Sequence, residues 1–152
     1  MSEVERKYLI FALDRRRYAL DLSEVAEVIE PPPTWPIPGA PPYYSGAMNF
    51  HGSIVAIMDL AAFLGLAALH GPEKVVVLHP GVGALAFLVE RVERIVPADQ
   101  VRLDNTASPP PERFSSGTLC LAEGAALLLD AVAITRAAGE ALQAYGAGAG
   151  RG

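Results

Sequence analysis

Residues 45–60 read Ser45-Gly46-Ala47-Met48-Asn49-Phe50-His51-Gly52-Ser53-Ile54-Val55-Ala56-Ile57-Met58-Asp59-Leu60. The pattern predicts a strand, a tight turn at His51-Gly52 and a second, buried strand. Asp59 is placed to cap a helix of one to two turns, with Leu60, Phe63 and Leu64 on one face and Gly65 at its C-terminal end. Each piece carries its own stop signal, so this segment reads as a hairpin closed by a short helix.

The flanking chain repeats the theme. Tyr8 to Leu13 is apolar throughout, and beyond the polar turn Asp14-Arg15-Arg16 the residues Tyr18, Leu20 and Leu22 alternate with Ala19 and Asp21, the period of a half-buried strand. A β-hairpin is expected there. Asp21 or Ser23 then caps a predicted short helix in which Val25, Val28 and Ile29 fall at helical spacing, with Glu24 available for a capping box. Pro31-Pro32-Pro33, followed by Pro36, Pro38, Pro41 and Pro42, forces an extended connector over about residues 31–44, a stiff surface loop rather than a proline-rich ligand motif. Further strands are expected at 74–79, 84–89, 118–121 and 125–129, separated by Pro80-Gly81-Val82-Gly83, a Pro/Ser loop at 105–113, and Glu123-Gly124. Short strands at this spacing favour antiparallel barrels over alternating strands and helices. Residues 146–152 read as flexible from their glycine content.

An internal repeat divides the chain. Gly46 and Gly117 each precede, by thirteen residues, an aspartate that ends a strand pair, Asp59 and Asp130. The turn glycines Gly52 and Gly124 fall in nearly matching places, and Val25, Val28 and Ile29 answer Val92, Ile95 and Val96 at a constant offset. Two related units of about 65 residues would each be marginal alone and gain by packing together, with a groove between them.

Composition narrows the function. The 152 residues hold 12 Lys+Arg against 17 Asp+Glu, a net charge of -5, which opposes a nucleic-acid or acidic-lipid partner. With 51% hydrophobic and 19% charged residues the chain has apolar surface enough for a core. No apolar run approaches the roughly 18 to 20 residues of a membrane span, and the N-terminus lacks a basic, then apolar, leader, so a cytoplasmic protein is expected. The lone Cys120 permits neither an internal disulfide nor a thiolate cluster and reads as an inert buried thiol. His51, His70 and His79 share no metal-binding spacing and read as turn or surface histidines; Gly81-Val82-Gly83 lacks the lysine and helix of a phosphate cradle. No acid pair and no nucleophile elbow stands out, so the chain is expected to be no enzyme.

The arrangement of Tyr8 to Leu13, Tyr18 to Ile29 and above all Gly46 to Leu60 resembles the CheW family of chemotaxis coupling proteins over about residues 7–136. The resemblance implies a mainly β fold of two packed five-stranded antiparallel β-barrel subdomains, SH3-like, with a few short helices. The lobes would span roughly 7–68 and 69–136, with strand exchange between them allowed, and 137–152 would form a helical or flexible tail. It also implies no catalytic activity, no cofactor and no metal. The partners implied are the regulatory domain of a CheA-type histidine kinase, which has the same fold, and the cytoplasmic tips of methyl-accepting chemoreceptors. Membrane contact would come only through those receptors.

Carried over by position, Val25 and Glu27 lie near the family's receptor groove, and Gly46, Asn49 and His51 belong to the signature segment beside them. Plain alternatives stand next to each: core packing for Val25, a solvated helix face for Glu27, special backbone angles for Gly46 and Gly52. Position 51 is usually arginine in the family and position 56 commonly proline; here they are His51 and Ala56. Glu27 and His51 are expected to face each other in a pair that strengthens as the imidazole takes up a proton. Two rivals accompany this reading: a CheW-like module of a non-flagellar pathway with an altered receptor contact, and a small β-barrel ligand-binding domain.

Overall fold

The computed structural model describes residues 5–67, 73–106 and 113–149. Its first hairpin pairs β1 (Lys7–Leu13) with β2 (Arg16–Asp21), followed by a 3-10 turn (Leu22–Glu24) and β3 (Val25–Ile29). After the proline connector come β4 (Tyr44–Phe50), β5 (Ser53–Asp59) and α1 (Leu60–Phe63). The second part of the chain supplies β6 (Lys74–Leu78), β7 (Leu85–Val89), β8 (Arg91–Pro97), a 3-10 turn (Ala98–Gln100), β9 (Arg102–Asp104), β10 (Ser115–Leu121), β11 (Gly124–Leu129) and α2 (Ala131–Ala149).

The strands form a six-stranded sheet in the order β8-β1-β2-β11-β10-β9 and a five-stranded sheet in the order β3-β6-β7-β5-β4. The mainly β fold with few helices is as expected, but neither sheet is a closed five-stranded barrel: hydrogen bonding leaves β8 and β9 as edges of one and β3 and β4 as edges of the other. Each sheet borrows its inner hairpin from the other part of the chain. The hairpin β1–β2 sits among β8 to β11, and β6–β7 sits among β3 to β5.

That placement explains why β1, β6 and β7 are apolar at nearly every position. Leu9, Phe11 and Leu13 face a central cluster with Tyr18, Leu20, Met58, Val76, Leu78 and Phe87, while Tyr8 and Ile10 face the interior of the six-stranded sheet with Ala19, Val96 and Leu119. Val75 and Val77 do the same for the other sheet, meeting Met48, Val55 and Ile57. A strand covered on both faces has no use for polar alternation. α2 closes the central cluster with Ala131, Ile134 and Ala138.

The repeat proves to be a structural one. Asp59 N–H donates to Tyr43 O at 2.8 Å and Asp130 N–H to Phe114 O at 2.8 Å, and both hairpins carry a register shift at matching positions, between Tyr44 and Gly46 and between Ser115 and Gly117. The caps match too: Asp59 Oδ1 accepts from Ala62 N–H at 3.1 Å and Asp130 Oδ1 from Ala133 N–H at 3.0 Å.

Two further expectations need correction. The helix expected from Asp21 to Ile29 is a single 3-10 turn, in which Asp21 Oδ1 accepts from Ser23 N–H at 3.0 Å, followed by a strand. β3 pairs antiparallel with β6 (Val28↔Val76, Ile29↔Val75), and a bulge between Val25 and Glu27 shifts the register, so one extra residue imitates a helical period. The matching segment 91–97 is likewise a strand. Cys120 is half-buried rather than buried, with Arg102 Nη2 at 3.4 Å from its sulfur. α2 runs on as helix through Gly146 and Gly148 to Ala149, within the segment expected to be a helical or flexible tail. His70, most of the loop at 105–113 and the last three residues lie outside the described residues.

Candidate partner-binding surface

His51 and Gly52 both take positive φ, +50° and +86°, the pair of angles that a two-residue primed turn requires between twisted strands. Asn49 Oδ1 accepts from Gly52 N–H at 3.0 Å and locks that turn, so its side chain is spent on local structure. Gly46 has φ +146°, and a Cβ there would lie 2.7 Å from Trp35 O. The reason is a backbone bridge in which Trp35 and Ala47 exchange hydrogen bonds of 3.1 and 2.8 Å, folding the proline connector back onto β4. Glycine at 46 is therefore demanded by close approach of two backbones.

His51 and Glu27 are brought together. His51 Nε2 lies 3.3 Å from Glu27 Oε1, and the imidazole rests against the Phe50 ring with centroids 4.3 Å apart. The pair spans the opening between β3 and β4, the two edges of the five-stranded sheet, so it draws the curled sheet toward closure. With side chains 73% and 48% exposed, it contributes about 0–1 kcal/mol at most and is free to rearrange when a partner docks. Val25 is half-buried at the start of β3 and packs against the central cluster, while Val28 on the same strand stays 37% exposed.

The second half holds a counterpart that the sequence reading did not single out. Arg94 on β8 reaches both carboxylate oxygens of Glu123 in the β10–β11 turn, at 2.7 and 2.5 Å. Arg94 stands at the repeat position of Glu27 and Glu123 in the turn that matches His51-Gly52, so the latch recurs with its charges reversed. Ile95, at the repeat position of Val28, is 51% exposed. The constant offset between Val25 and Val92 was the signal from which both could have been found.

Charge on these edges is organised locally. Arg17 Nε donates to Glu93 Oε1 at 2.9 Å, and Arg91 Nη2 to Glu93 Oε2 at 2.9 Å. The Arg17 hydrogen bond, with further help from Arg91, holds the Glu93 carboxyl below its usual range against the opposing effect of burial. Burial pushes the Glu24 carboxyl up, and the nearby carboxylates of Asp21 and Asp130 add to it. Glu24 O accepts from His79 N–H at 2.8 Å, and His79 Nδ1 in turn accepts from Gly81 N–H at 3.0 Å, which makes His79 a turn histidine. Among the described residues no group of three or more His, Cys, Asp or Glu is arranged to hold a metal ion, and no helix is long and apolar enough to cross a membrane.

Comparison with known proteins places this geometry. The family model described as CheW-like domain matches residues 7–139. Chemotaxis protein CheW of Thermotoga maritima is 28% identical over 103 residues, covering 67% of this chain and 68% of that protein. Chemotaxis protein CheW of Rhizobium meliloti is 26% identical over 121 residues, covering 78% and 76%. The crystal structure of scaffolding protein TtCheW from Thermoanaerobacter tengcongensis has the same fold, with a TM-score of 0.71 at 19% identity over 84% of this chain and 90% of that one.

Proposed function

The chain belongs to the CheW-like domain family of non-enzymatic chemotaxis scaffolds, and from that premise we propose that it couples the cytoplasmic tips of methyl-accepting chemoreceptors to the regulatory domain of a CheA-type histidine kinase. The observation that carries the reading is the family match, which spans residues 7–139 and thus every strand of both sheets. The rim formed by β3 and the His51 turn supplies a surface suited to it. Val25 and Val28 offer apolar area, Glu27 and His51 offer polar register, Asn49 holds the turn in place, and Gly46 lets the connector fold back onto β4. A helical receptor tip laid along this edge would cover Val28 and contact the exposed Glu27–His51 pair. The protein would act in the cytoplasm, meeting the membrane only through its receptors, and would need no cofactor.

The test is a pulldown of a kinase regulatory domain and of a receptor cytoplasmic fragment, offered separately. Both are expected to be retained, with Val28→Asp and Glu27→Lys each weakening the receptor fragment by about tenfold and leaving the kinase domain bound, since loss of one well-placed contact is worth about 1.4 kcal/mol. Retention of neither partner overturns the proposal. One observation favours a second reading, a module of a non-flagellar pathway with an altered receptor contact. His51 replaces the permanent, forked charge of the arginine usual at this position in the family. That reading requires kinase binding without receptor binding, restored by His51→Arg.

A further inference from the structure

The two sheets repeat one design, but their parallel seams differ in length. β5 and β7 are registered over four pairs, from Ala56↔Leu85 to Asp59↔Leu88, whereas the matching strands β11 and β2 share only Leu127↔Tyr18 and Leu128↔Ala19. Beside the starts of β2 and β11 lies a cleft of about 380 Å³ lined by Arg15, Arg16, Arg17, Thr118, Ala125 and Leu127.

The three successive arginines are a quarter of the 12 Lys+Arg in a chain of net charge -5. The fold does not demand them: in the matching place before β7 the chain runs Gly81-Val82-Gly83-Ala84, without a cation. Arg15 is presented at the tip of the β1–β2 turn with φ +67°, exposed to solvent. Arg17 is held at the cleft wall by its bond to Glu93, which fixes the direction of its guanidinium. We infer that this cleft is a docking site for a carboxylate-rich segment of a protein partner. Arginine forks take carboxylates in pairs, and the Thr118 hydroxyl and the apolar Ala125 and Leu127 suit the backbone and stem of a short peptide. The charge of the remaining surface repels an extended polyanion, which selects a short acidic peptide over nucleic acid. The site is separate from the β3 rim and does not depend on the receptor reading.

The experiment measures fluorescence anisotropy of a labelled short peptide of alternating Glu and Gly, and of its Gln counterpart, with the full chain at low salt. The Glu peptide is expected to bind and the Gln peptide not. Arg15→Gln/Arg16→Gln, which leaves the Arg17–Glu93 pair intact, is expected to weaken binding by about tenfold or more. Circular dichroism checks that this variant keeps its fold, and the single variant Arg15→Gln serves in its place if it does not. Equal binding of the wild type and the folded variant, or of the Glu and Gln peptides, overturns the inference. So does displacement of the peptide by an equal concentration of inorganic phosphate, or tighter binding of a short oligonucleotide.

Discussion

At the scale of single residues, two glycines of the β4–β5 hairpin separate two kinds of constraint. Gly52 needs its positive φ and nothing else, as no atom lies within 4 Å of the Cβ it lacks. Gly46 needs both its φ and the 2.7 Å approach to Trp35 O. Gly52→Ala is therefore expected to cost about 1 kcal/mol and Gly46→Ala more, about 2–3 kcal/mol, read from urea unfolding midpoints. Two carboxylates should move stability in opposite directions with pH. The Glu93 carboxyl, depressed chiefly by its bond to Arg17, stabilises the fold above the ordinary glutamate range, and that contribution is lost as pH falls through its depressed value. Glu93→Gln should thus be less stable than wild type at neutral pH, with the gap narrowing on acidification. For Glu24, raised chiefly by burial, ionisation is a liability that grows as pH rises through the window above the ordinary range. Glu24→Gln should be more stable than wild type at neutral pH and indistinguishable from it in acid. The sequence reading placed the turn glycines and the Asp59 cap correctly because turn and cap chemistry is local. It did not foresee Trp35 against Gly46, a contact formed only when the connector folds back.

At the scale of elements, α2 shows how little a cap decides when packing is present. Asp130→Ala removes the hydrogen bond to Ala133 N–H and should cost about 1 kcal/mol. Ile134→Ala empties part of the central cluster and should cost about 3 kcal/mol by the same chemical denaturation. Comparable losses for the two would mean that α2 is held by its own propensity rather than by the core. β3 teaches the converse point. Its Val25, Val28 and Ile29 suit helix and bulged strand equally by spacing, and the choice falls to β6, whose free edge only a strand can satisfy. The rim site was half legible for that reason: Glu27 and His51 were named from the family resemblance and do meet, yet Glu27 arrives there on a strand, and the matching Arg94–Glu123 latch went unseen because 91–97 was not read as a strand.

On the scale of the whole molecule, the exchanged hairpins bind the two halves into one folding unit. Without β6–β7, strand β3 is cut off from the β4–β5 hairpin, and without β1–β2 the other sheet likewise falls into separate pieces. Fragments 1–67 and 73–152, expressed apart, are each expected to show no cooperative thermal transition, and mixing them should restore one. A sharp independent melt of either fragment would contradict the interdependence of the sheets. The sequence by itself determined what is local: a mainly β chain, the turns at Asp14-Arg15 and His51-Gly52, the aspartate caps, and strands whose unbroken apolar character marks them for burial on two faces. Only the tertiary structure decided which strands meet, and hence the crossed hairpins, the shortened β2–β11 seam with its arginine cleft, and the latches at both rims. Side-chain pattern fixes which faces leave water, but pairing partners far apart in the chain are selected by the packing of the assembled core.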